Sequence, residues 1–258
     1  MRLTVLGSSG TAPQAGNPAS GYLVQVESTN LWMDAGPGTY MALLGELDPA
    51  QLDAVLLSHM HPDHCSDLFA LGHELAYVRR AATRVPVLCP DGSADRIAGF
   101  FGGVSDHPIF DTLTITEVQP GATFEFGALE VTAQAAHHSV PALAYRISGP
   151  GGSLGYTGDT GPSDLIEEHL ADVDVLLAEA SLQEGSDPYP FHLTAQQAGA
   201  MATAVGAGAL LLTHIPGSLD PQESLRQATV AYTGPVSLAK PGETYMIPTE
   251  SQQKDQQS

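Results

Sequence analysis

The segment His59-Met60-His61-Pro62-Asp63-His64 contains three imidazoles and one carboxylate within six positions. It directly follows Ala54-Val55-Leu56-Leu57-Ser58, a short apolar run of the kind that forms a buried strand. In α/β proteins, the loops that leave the carboxyl ends of strands carry ligand-binding and catalytic groups. Imidazole nitrogens together with a carboxylate oxygen favour zinc, manganese or iron over calcium or magnesium. The segment therefore predicts a metal site on a loop that follows a buried strand.

Three further candidate ligands, His138, Asp159 and His214, also follow predicted strands. Strand ends of this kind present side chains at the same rim of a sheet, so we expect these residues to join the first cluster. The combined set has five histidines and two aspartates, whereas one tetrahedral site needs four ligands. The sequence therefore predicts two metal ions, with Asp159 as a bridging carboxylate.

Three nearby residues have two interpretations each. Asp34 could accept a hydrogen bond from a ligand imidazole and fix its tautomer, or it could be an ordinary turn aspartate. Cys65 adjoins the histidine cluster, but a small buried side chain is the favoured interpretation over a ligand. His137 and His138 are alternatives for one role, because neighbouring strand residues point to opposite faces.

Strands and helices alternate along the chain without a linker, which predicts one domain of the α/β class over residues 1–248. The Gln- and Ser-rich residues 249–258 are expected to form a disordered tail. Thr194 is a candidate N-cap. The predicted helices are Thr39–Glu46, Asp67–Arg80, Ser93–Phe101, Thr194–Val205 and Asp220–Ala231. The predicted strands are Arg2–Gly7, Tyr22–Glu27, Leu31–Asp34, Ala54–Leu57, Pro86–Cys89, Leu113–Thr116, strands within Thr123–Ala136, Ala142–Ile147, Leu154–Thr157, Val173–Ala178, Ala209–Leu212, Val236–Ala239 and Thr244–Ile247.

Composition narrows the classes of function. The chain has 258 residues, 43% of them hydrophobic, which is enough for one large core or two fused halves. Its net charge is −20 with nine Lys plus Arg, so it repels nucleic-acid backbones. Two cysteines do not form a disulfide scaffold. No signal peptide or membrane-spanning run is evident, so we expect a soluble, cytoplasmic protein.

The sequence resembles the metallo-β-lactamase superfamily, in the branch with tRNA 3′-processing endonucleases and bacterial cyclic-nucleotide phosphodiesterases. The resemblance extends over nearly the whole chain and implies a four-layer αβ/βα sandwich with the site at one edge. Its motifs are His-x-His-x-Asp-His at His59–His64, the segment His138–Ile147, Gly158-Asp159-Thr160, Glu179-Ala180-Ser181, His192-Leu193-Thr194 and Leu212-Thr213-His214.

The resemblance also implies a division of the ligands. His59, His61 and His138 would hold the first metal, and Asp63, His64 and His214 the second, with Asp159 as the bridge. Two divalent ions are implied, Zn²⁺ foremost, with Mn²⁺ or Fe as alternatives.

Members of this branch typically cleave phosphodiesters with a hydroxide that bridges the two metals. His192 resembles the histidine that lies near the scissile phosphate as a proton donor or charge stabiliser, and Glu179 resembles its orienting partner. Asp63, His192 and Glu179 are thus the expected catalytic residues. From the sequence alone, a surface histidine ahead of a helix cap would be the favoured interpretation of His192. His73, His107 and His169 are expected to lie outside the site.

The substrate follows from what the chain lacks. The endonuclease branch inserts a basic arm between the third histidine and the bridging aspartate, but His138 and Asp159 are only 21 positions apart. A small anionic ester needs no basic patch, because the metals supply the positive field. We therefore expect a small-molecule phosphodiester as substrate, with a 3′,5′-cyclic nucleotide such as cAMP as the leading hypothesis, and neither nucleic acid nor membrane as a partner.

The sequence is also compatible with three other functions. They are a tRNA 3′-processing nuclease, a thioester or lactone hydrolase of the same fold, and a non-catalytic metal-binding scaffold, which the complete ligand set makes less favoured. A redox diiron role is disfavoured, because that group has a Glu where this chain has His61. A homodimer is possible, and the apolar helix Asp67–Tyr77 is a candidate contact, although a core face is the favoured interpretation.

Overall fold

A computed structural model describes residues 1–79, 84–103 and 106–248 of the chain. The expected tail at 249–258 and the end of the predicted helix at Arg80 lie outside these described residues. No helix in the described ranges is long and apolar enough to cross a bilayer.

Strands make up most of the regular structure in the described ranges. They are β1 (Arg2–Gly7), β2 (Ser9–Gly10), β3 (Gly21–Val26), β4 (Thr29–Met33), β5 (Ala54–Leu56), β6 (Val85–Cys89), β7 (Leu113–Glu117), β8 (Thr123–Phe126), β9 (Leu129–Ala135), β10 (Leu143–Gly149), β11 (Gly152–Tyr156), β12 (Val175–Glu179), β13 (Ala209–Thr213), β14 (Ile215–Pro216), β15 (Val236–Leu238) and β16 (Thr244–Met246).

Helices connect these strands. They are α1 (Thr39–Glu46), α2 (Pro62–Cys65), α3 (Leu68–His73), α4 (Ser93–Phe100), α5 (Asp164–His169), α6 (Ala195–Ala204) and α7 (Pro221–Ala231). Short 3₁₀ turns cover Pro49–Gln51 and Pro108–Asp111, and a π-helical segment covers Glu74–Arg79.

The strands form two seven-stranded sheets. The first has the order β16-β1-β3-β4-β5-β6-β7, and the second has the order β15-β13-β12-β11-β10-β9-β8. Strands β4 to β7 are parallel, as are β11, β12, β13 and β15, so their carboxyl ends lie on a common edge in each sheet. The small pair β2–β14 joins one chain segment after β1 to another after β13.

Alternating side chains on each strand place the sheets between two helical layers. In β4, Leu31 and Met33 enter the core between the sheets, while Trp32 enters the core beneath α1, α3 and α4. In β12, Val175 and Leu177 enter the same central core, while Leu176 packs towards α5, α6 and α7. Both faces of these strands are buried, which is why their sequences are apolar runs. The result is a four-layer α/β/β/α sandwich, which confirms the expected fold class.

Helix α5 is not among the helices predicted from the sequence, and two other helical regions differ from the prediction. The predicted helix Asp67–Arg80 is α3 followed by the π-helical segment, with position 80 undescribed. The histidine cluster is not wholly on a loop, because its second half forms α2. Pro62 begins α2, and its fixed φ suits the first helical position.

The two sheets meet at the edge where the candidate ligands lie. Leu143 of β10 donates its backbone N–H to the carbonyl of Ser58, at 2.8 Å, and His59 forms an isolated bridge with Ala142. The segment after β5 in the first sheet is thereby fixed against the start of β10 in the second sheet. This contact brings side chains from both halves of the chain to one place.

Candidate metal centre

The first group of converging side chains is His59, His61 and His138. His59 Nε2 lies 3.0 Å from His61 Nδ1, and the same atom of His61 lies 3.2 Å from His138 Nε2. His59 follows β5, His61 is the residue before α2, and His138 follows β9 in the other sheet. Three ring nitrogens from two sheets therefore point at one small volume, in which they could hold a metal ion.

The second group is Asp63, His64 and His214. His64 Nε2 lies 3.1 Å from His214 Nε2, which in turn is 3.2 Å from Asp63 Oδ2. Asp63 and His64 are on the first turn of α2, which explains how neighbouring residues can serve a different group from His59 and His61. His214 follows β13, where it adopts a left-handed backbone with φ of 53°. Such a φ is uncommon for a residue other than glycine and is typical of functional positions.

Asp159 lies between the two groups. Its Oδ2 is 3.7 Å from His59 Nε2, and its Oδ1 is 3.3 Å from His64 Nε2. One carboxylate oxygen thus faces each group. Oδ1 is buried and accepts no hydrogen bond from the described residues. Buried polar atoms nearly always have a partner, so this oxygen has the environment of a ligand for a cation.

Asp34 orients His64 of the second group through the ring nitrogen that faces away from the centre. This fully buried carboxylate contacts His64 Nδ1 at 2.7 Å through Oδ2, which also accepts hydrogen bonds from Tyr156 and Ser58. Of the two interpretations of Asp34 from the sequence, the structure shows the first: Asp34 forms a hydrogen bond with an imidazole of the cluster. A carboxylate in this position fixes the tautomer of the imidazole and increases its basicity.

Hydrogen bonds on the far side of the other rings also assign their tautomers. The carbonyl of Phe191 can only accept, so His138 Nδ1 donates to it, at 3.0 Å. Ser58 Oγ gives its proton to Asp34, so it accepts from His59 Nδ1, at 3.0 Å. Ser181 Oγ gives its proton to Glu179 and accepts from His214 Nδ1, at 2.8 Å. In each of these rings the Nε2 lone pair therefore faces the centre.

This arrangement provides a test of whether cations fit. Asp34 holds the proton of His64 on Nδ1, so the Nε2 atoms of His64 and His214 turn two lone pairs towards each other at 3.1 Å. Two lone pairs at hydrogen-bond distance repel, so either a proton, which the raised pKa of His64 supplies when no metal is bound, or a cation must lie between them. The donor set of imidazole nitrogens and carboxylate oxygens suits zinc or another transition metal. The residues present therefore fit two divalent ions.

The charges at the centre are strongly coupled. Burial acts to raise the pKa of Asp159, but the adjacent His214 and His64 hold this pKa well below its usual range. Burial acts to lower the pKa of His64, but the carboxylates of Asp159 and Asp34 raise it well above its usual range. For His59, burial and the neighbouring His64 lower the pKa well below 6.5. Asp159 is thus anionic at neutral pH and attracts positive charge to the space between the two groups.

His192 and Glu179 form a pair at the border of the centre. His192 Nδ1 lies 2.8 Å from Glu179 Oε1 and 4.0 Å from Asp159 Oδ2. Glu179 is the last residue of β12 and is 1% exposed, whereas the His192 side chain is 19% exposed. Burial acts to lower the pKa of His192, but the hydrogen bond and the charge of Glu179 raise it above 6.5. His192 is therefore a partly exposed imidazole with a proton held on the side away from solvent.

The structure also separates the remaining candidates. His137 is exposed. Its backbone N–H donates to the Thr160 hydroxyl oxygen at 3.1 Å, and its side chain belongs to none of the converging groups of described residues. Cys65, the last residue of α2, is buried, and burial raises the pKa of its thiol to about 11, so it remains a neutral packing group. The ring of His107 packs against Phe101, with centroids 4.3 Å apart, and belongs to none of the converging groups of described residues.

Sequence reasoning did not assign roles to Ser58, Ser181 and Tyr156. Each supports a centre residue through a hydroxyl group: Ser58 and Tyr156 act on Asp34, and Ser181 acts on His214. Ser58 and Tyr156 are adjacent, or nearly so, to candidate ligands at strand ends, and Ser181 is two residues from Glu179. Their closeness to candidate site residues is the signal that the sequence offers for these roles. The pairs themselves, Tyr156 with Asp34 and Ser181 with His214, are 122 and 33 positions apart and cannot be predicted from a single sequence.

The fold and the paired groups define a class: a two-sheet α/β protein with a candidate dinuclear metal centre at the sheet edge. Residues 29–215 match the family described as the Beta-lactamase superfamily domain. An uncharacterized protein of Mycobacterium tuberculosis is 35% identical over 256 residues, which cover 96% of this chain and 92% of that protein. The chain belongs to the metallo-β-lactamase superfamily, in its ribonuclease Z-like branch.

Two further relatives place the chain within that family. The probable metallo-hydrolase YhfI of Bacillus subtilis is 29% identical over 249 residues, covering 94% of this chain and 98% of that protein. Its crystal structure superposes with a TM-score of 0.85 at 28% identity, covering 95% of this chain and 99% of the other. Ribonuclease Z of Methanopyrus kandleri is 26% identical over 263 residues, covering 86% of this chain and 90% of that protein.

Proposed function

We propose that this protein is a metal-dependent phosphodiesterase that hydrolyses small phosphodiesters, with a 3′,5′-cyclic nucleotide such as cAMP as its substrate. The observation that carries the proposal is the position of Asp159, which directs one carboxylate oxygen to each of two groups of ring nitrogens. The name of YhfI, a probable metallo-hydrolase, supports hydrolysis as the type of reaction.

Each group would hold one divalent cation, Zn²⁺ foremost and Mn²⁺ or Fe as alternatives. Two cations bound there would lower the pKa of a water molecule and would place positive charge beside the phosphoryl oxygens. His59, His61 and His138 form the first set of ligands, Asp63, His64 and His214 the second, and Asp159 belongs to both. Asp34, Ser58, Ser181 and the carbonyl of Phe191 keep the ring nitrogens pointed inwards.

Glu179, His192 and Asp63 would carry the proton transfers. As a water oxygen forms its bond to phosphorus, the bond from phosphorus to the ester oxygen breaks, and that oxygen needs a proton. Glu179 fixes the His192 ring through Nδ1, which leaves Nε2 to donate to the leaving oxygen. Asp63 Oδ2 lies within the second group, and its side chain is 13% exposed, so it can accept a proton from the attacking water.

The shape of the chain favours a small substrate over RNA. Between His138 and Asp159 the chain forms β10 and β11, which pair with each other through a tight turn. This interval therefore holds no arm that could grip a nucleic acid. The net charge of −20 also opposes the binding of a polyanion, which relies on Lys and Arg contacts.

A substrate panel tests the proposal on protein whose metal content has been measured. We expect hydrolysis of cAMP and of bis-p-nitrophenyl phosphate, loss of both activities on chelation, and recovery when Zn²⁺ or Mn²⁺ is added back. Asp63→Ala should abolish both activities, whereas Asp91→Ala, at an exposed turn, should not. Cleavage of pre-tRNA but not of cAMP would identify a nuclease, and turnover of thioesters or lactones alone would identify an acyl hydrolase. Either result would refute the proposal.

We also propose that the protein forms a homodimer. Large apolar side chains around the segment after α3 and at the end of α4 are exposed, including Val78 at 77% and Phe100 at 65%. We expect light scattering to give twice the mass of one chain, and Val78→Asp with Phe100→Asp to convert it to monomer. A monomer in the unmodified protein at micromolar concentration would contradict this proposal.

A further inference from the structure

We propose that the loop from Gln183 to Pro190 forms one wall of a subsite for the nucleobase of the substrate, with Tyr189 as the stacking surface. This inference rests on the proposed function, because it assigns the part of the ester that does not react. A subsite of this kind would make the protein prefer substrates in which an uncharged planar ring is attached close to the phosphate.

A cavity of about 370 Å³ lies beside the metal centre. It extends from His192, at the border of the centre, along the loop to Glu184, and Pro162 and Gln197 also line it. The volume is at the lower end of the range for small-molecule sites, roughly 300–1,000 Å³. A cavity that shares His192 with the centre can receive the remainder of an ester whose phosphate lies at the metal groups.

The loop is held in place at both ends. At its start, Gln183 donates its side-chain N–H to the carbonyl of Asp220, at 2.8 Å, and the Glu184 backbone N–H donates to Gln227 of α7, also at 2.8 Å. At its end, Pro190 packs so closely on Gly161 that a Cβ at Gly161 would lie 1.8 Å from the Pro190 carbonyl oxygen. Gly161 is two residues from Asp159, so the loop is fixed relative to the metal centre itself.

Tyr189 offers an aromatic face to this cavity. Its ring stacks near His192, with centroids 5.5 Å apart and planes inclined by 28°, yet the residue remains 46% exposed. Exposure of this size leaves a large part of the phenol ring free to contact a ligand in the cavity that it lines. Stacking on an exposed aromatic ring is the common way in which proteins bind nucleobases, and it works with any base.

The charges of the cavity define the class of ring that it accepts. Two carboxylates, Glu184 and Asp187, line it, and no Lys or Arg is among its described lining residues. Glu184 is fixed by a hydrogen bond from the Thr194 hydroxyl at 2.5 Å. A carboxylate-lined cavity repels anionic groups and can accept N–H donors such as the exocyclic amine of adenine. The subsite therefore suits a neutral base with a donor group and excludes a ligand with charge on its ring.

Direct binding of adenosine tests the subsite without relying on turnover. By calorimetric titration of the metal-loaded protein, Tyr189→Ala should weaken adenosine binding by at least about fivefold, and Tyr189→Phe, which keeps the ring, by less than about twofold. N6-succinyladenosine, which has carboxylates on the base, should bind at least about tenfold more weakly than adenosine. Asp187→Asn should reduce the difference in affinity between adenosine and N6-succinyladenosine, because it removes one of the two carboxylates that line the cavity. Equal melting temperatures would show that the variants are folded.

The outcomes separate the subsite from the proposed function. If Tyr189→Ala binds adenosine as tightly as the unmodified protein, or if cAMP is hydrolysed although adenosine does not bind, the subsite is refuted. If adenosine binding depends on Tyr189 but cAMP is not hydrolysed, the subsite stands and the proposed function fails.

Discussion

His192 illustrates how a single side chain combines two environments. One ring nitrogen contacts the buried Glu179, while the side chain as a whole is 19% exposed at the border of the centre. This is the arrangement of a residue that can move a proton to an incoming ligand, because the buried carboxylate fixes the ring without blocking it. His192 also lies close enough to His138 and Asp159 to be a ligand, so a proton-transfer role has to be separated from metal binding by experiment.

The variant His192→Asn tests that separation. We expect kcat for cAMP to fall by about 10² to 10⁴, the usual contribution of a general acid, with metal content unchanged. Elemental analysis and steady-state kinetics on the same preparation are the measurements. His73→Asn, an exposed histidine on α3, is the matched control and should behave as the unmodified protein. If the kcat of His192→Asn lies within tenfold of the kcat of the unmodified protein, the proton-donor role is excluded.

The neighbours His137 and His138 provide a second comparison at this scale. Of these two residues, His138 directs its Nε2 towards His61, whereas His137 is exposed. We expect His138→Asn to lower the metal content and to abolish activity, while His137→Asn keeps both, as measured by elemental analysis and cAMP hydrolysis. The reverse pattern would show that the ligand at the end of β9 is wrongly assigned.

Much of the centre could be predicted from the sequence, because all seven candidate ligands fall in one short motif or follow predicted strands. The roles of Asp34 and His137 could not be settled that way. Asp34 becomes an orienting group only because Tyr156 and His64, distant in sequence, close around it. Which of two adjacent histidines turns inwards depends on where β9 ends, and element boundaries are the least certain part of a sequence prediction.

Among the elements, α6 and α7 pack unusually closely. Gly199 of α6 faces the backbone of α7, where a Cβ would lie 2.3 Å from the carbonyl oxygen of Ala228. Gly199 is therefore a packing requirement, although alanine is the better helix former. Gly45, near the end of α1, has no atom within 4 Å of the position that a Cβ would take.

The same substitution at these two glycines should have opposite effects. Gly199→Ala should lower the free energy of unfolding by about 1–3 kcal/mol, because the helices must separate. Gly45→Ala should raise it by about 0.4–1 kcal/mol, because the unfolded chain loses freedom and nothing clashes. Urea unfolding followed by circular dichroism measures both. If both variants are stabilised, the contact between α6 and α7 is looser than described.

At the level of elements, prediction succeeded where local signals agree. Thr194 is the N-cap of α6, with Gln197 completing a capping box, as the sequence predicted for Thr194. Helix α2 was missed, because four residues show no helical periodicity and its evidence is a proline at the first position. The π-helical segment after α3 was missed because its apolar pattern resembles that of an ordinary helix, and the wider turn depends on tertiary packing.

The whole molecule is strongly acidic, and this affects how an anion reaches the centre. With a net charge of −20, the protein repels a cyclic nucleotide at long range. Raising the ionic strength from about 0.01 M to about 0.15 M shortens the screening length from about 30 Å to about 8 Å.

We therefore expect kcat/KM for cAMP to increase at least about twofold over this interval, with kcat little changed, in initial-rate assays with added KCl. p-Nitrophenyl acetate, if it is turned over, is the neutral control and should show no such dependence. An enzyme that binds RNA through cationic contacts would instead lose activity as salt is added. Lower kcat/KM at the higher salt concentration would contradict a repulsive approach.

Each metal group draws side chains from both sheets: His59 and His61 follow β5 in one, and His138 follows β9 in the other. If cations bind as proposed, they add to the hydrogen bonds that join the two sheets at this edge, such as those from Leu143 to Ser58 and from Tyr156 to Asp34. Ligands that bind only the folded state stabilise it by mass action. The supply of metal in the surrounding medium would then govern how long each molecule survives as well as how fast it works.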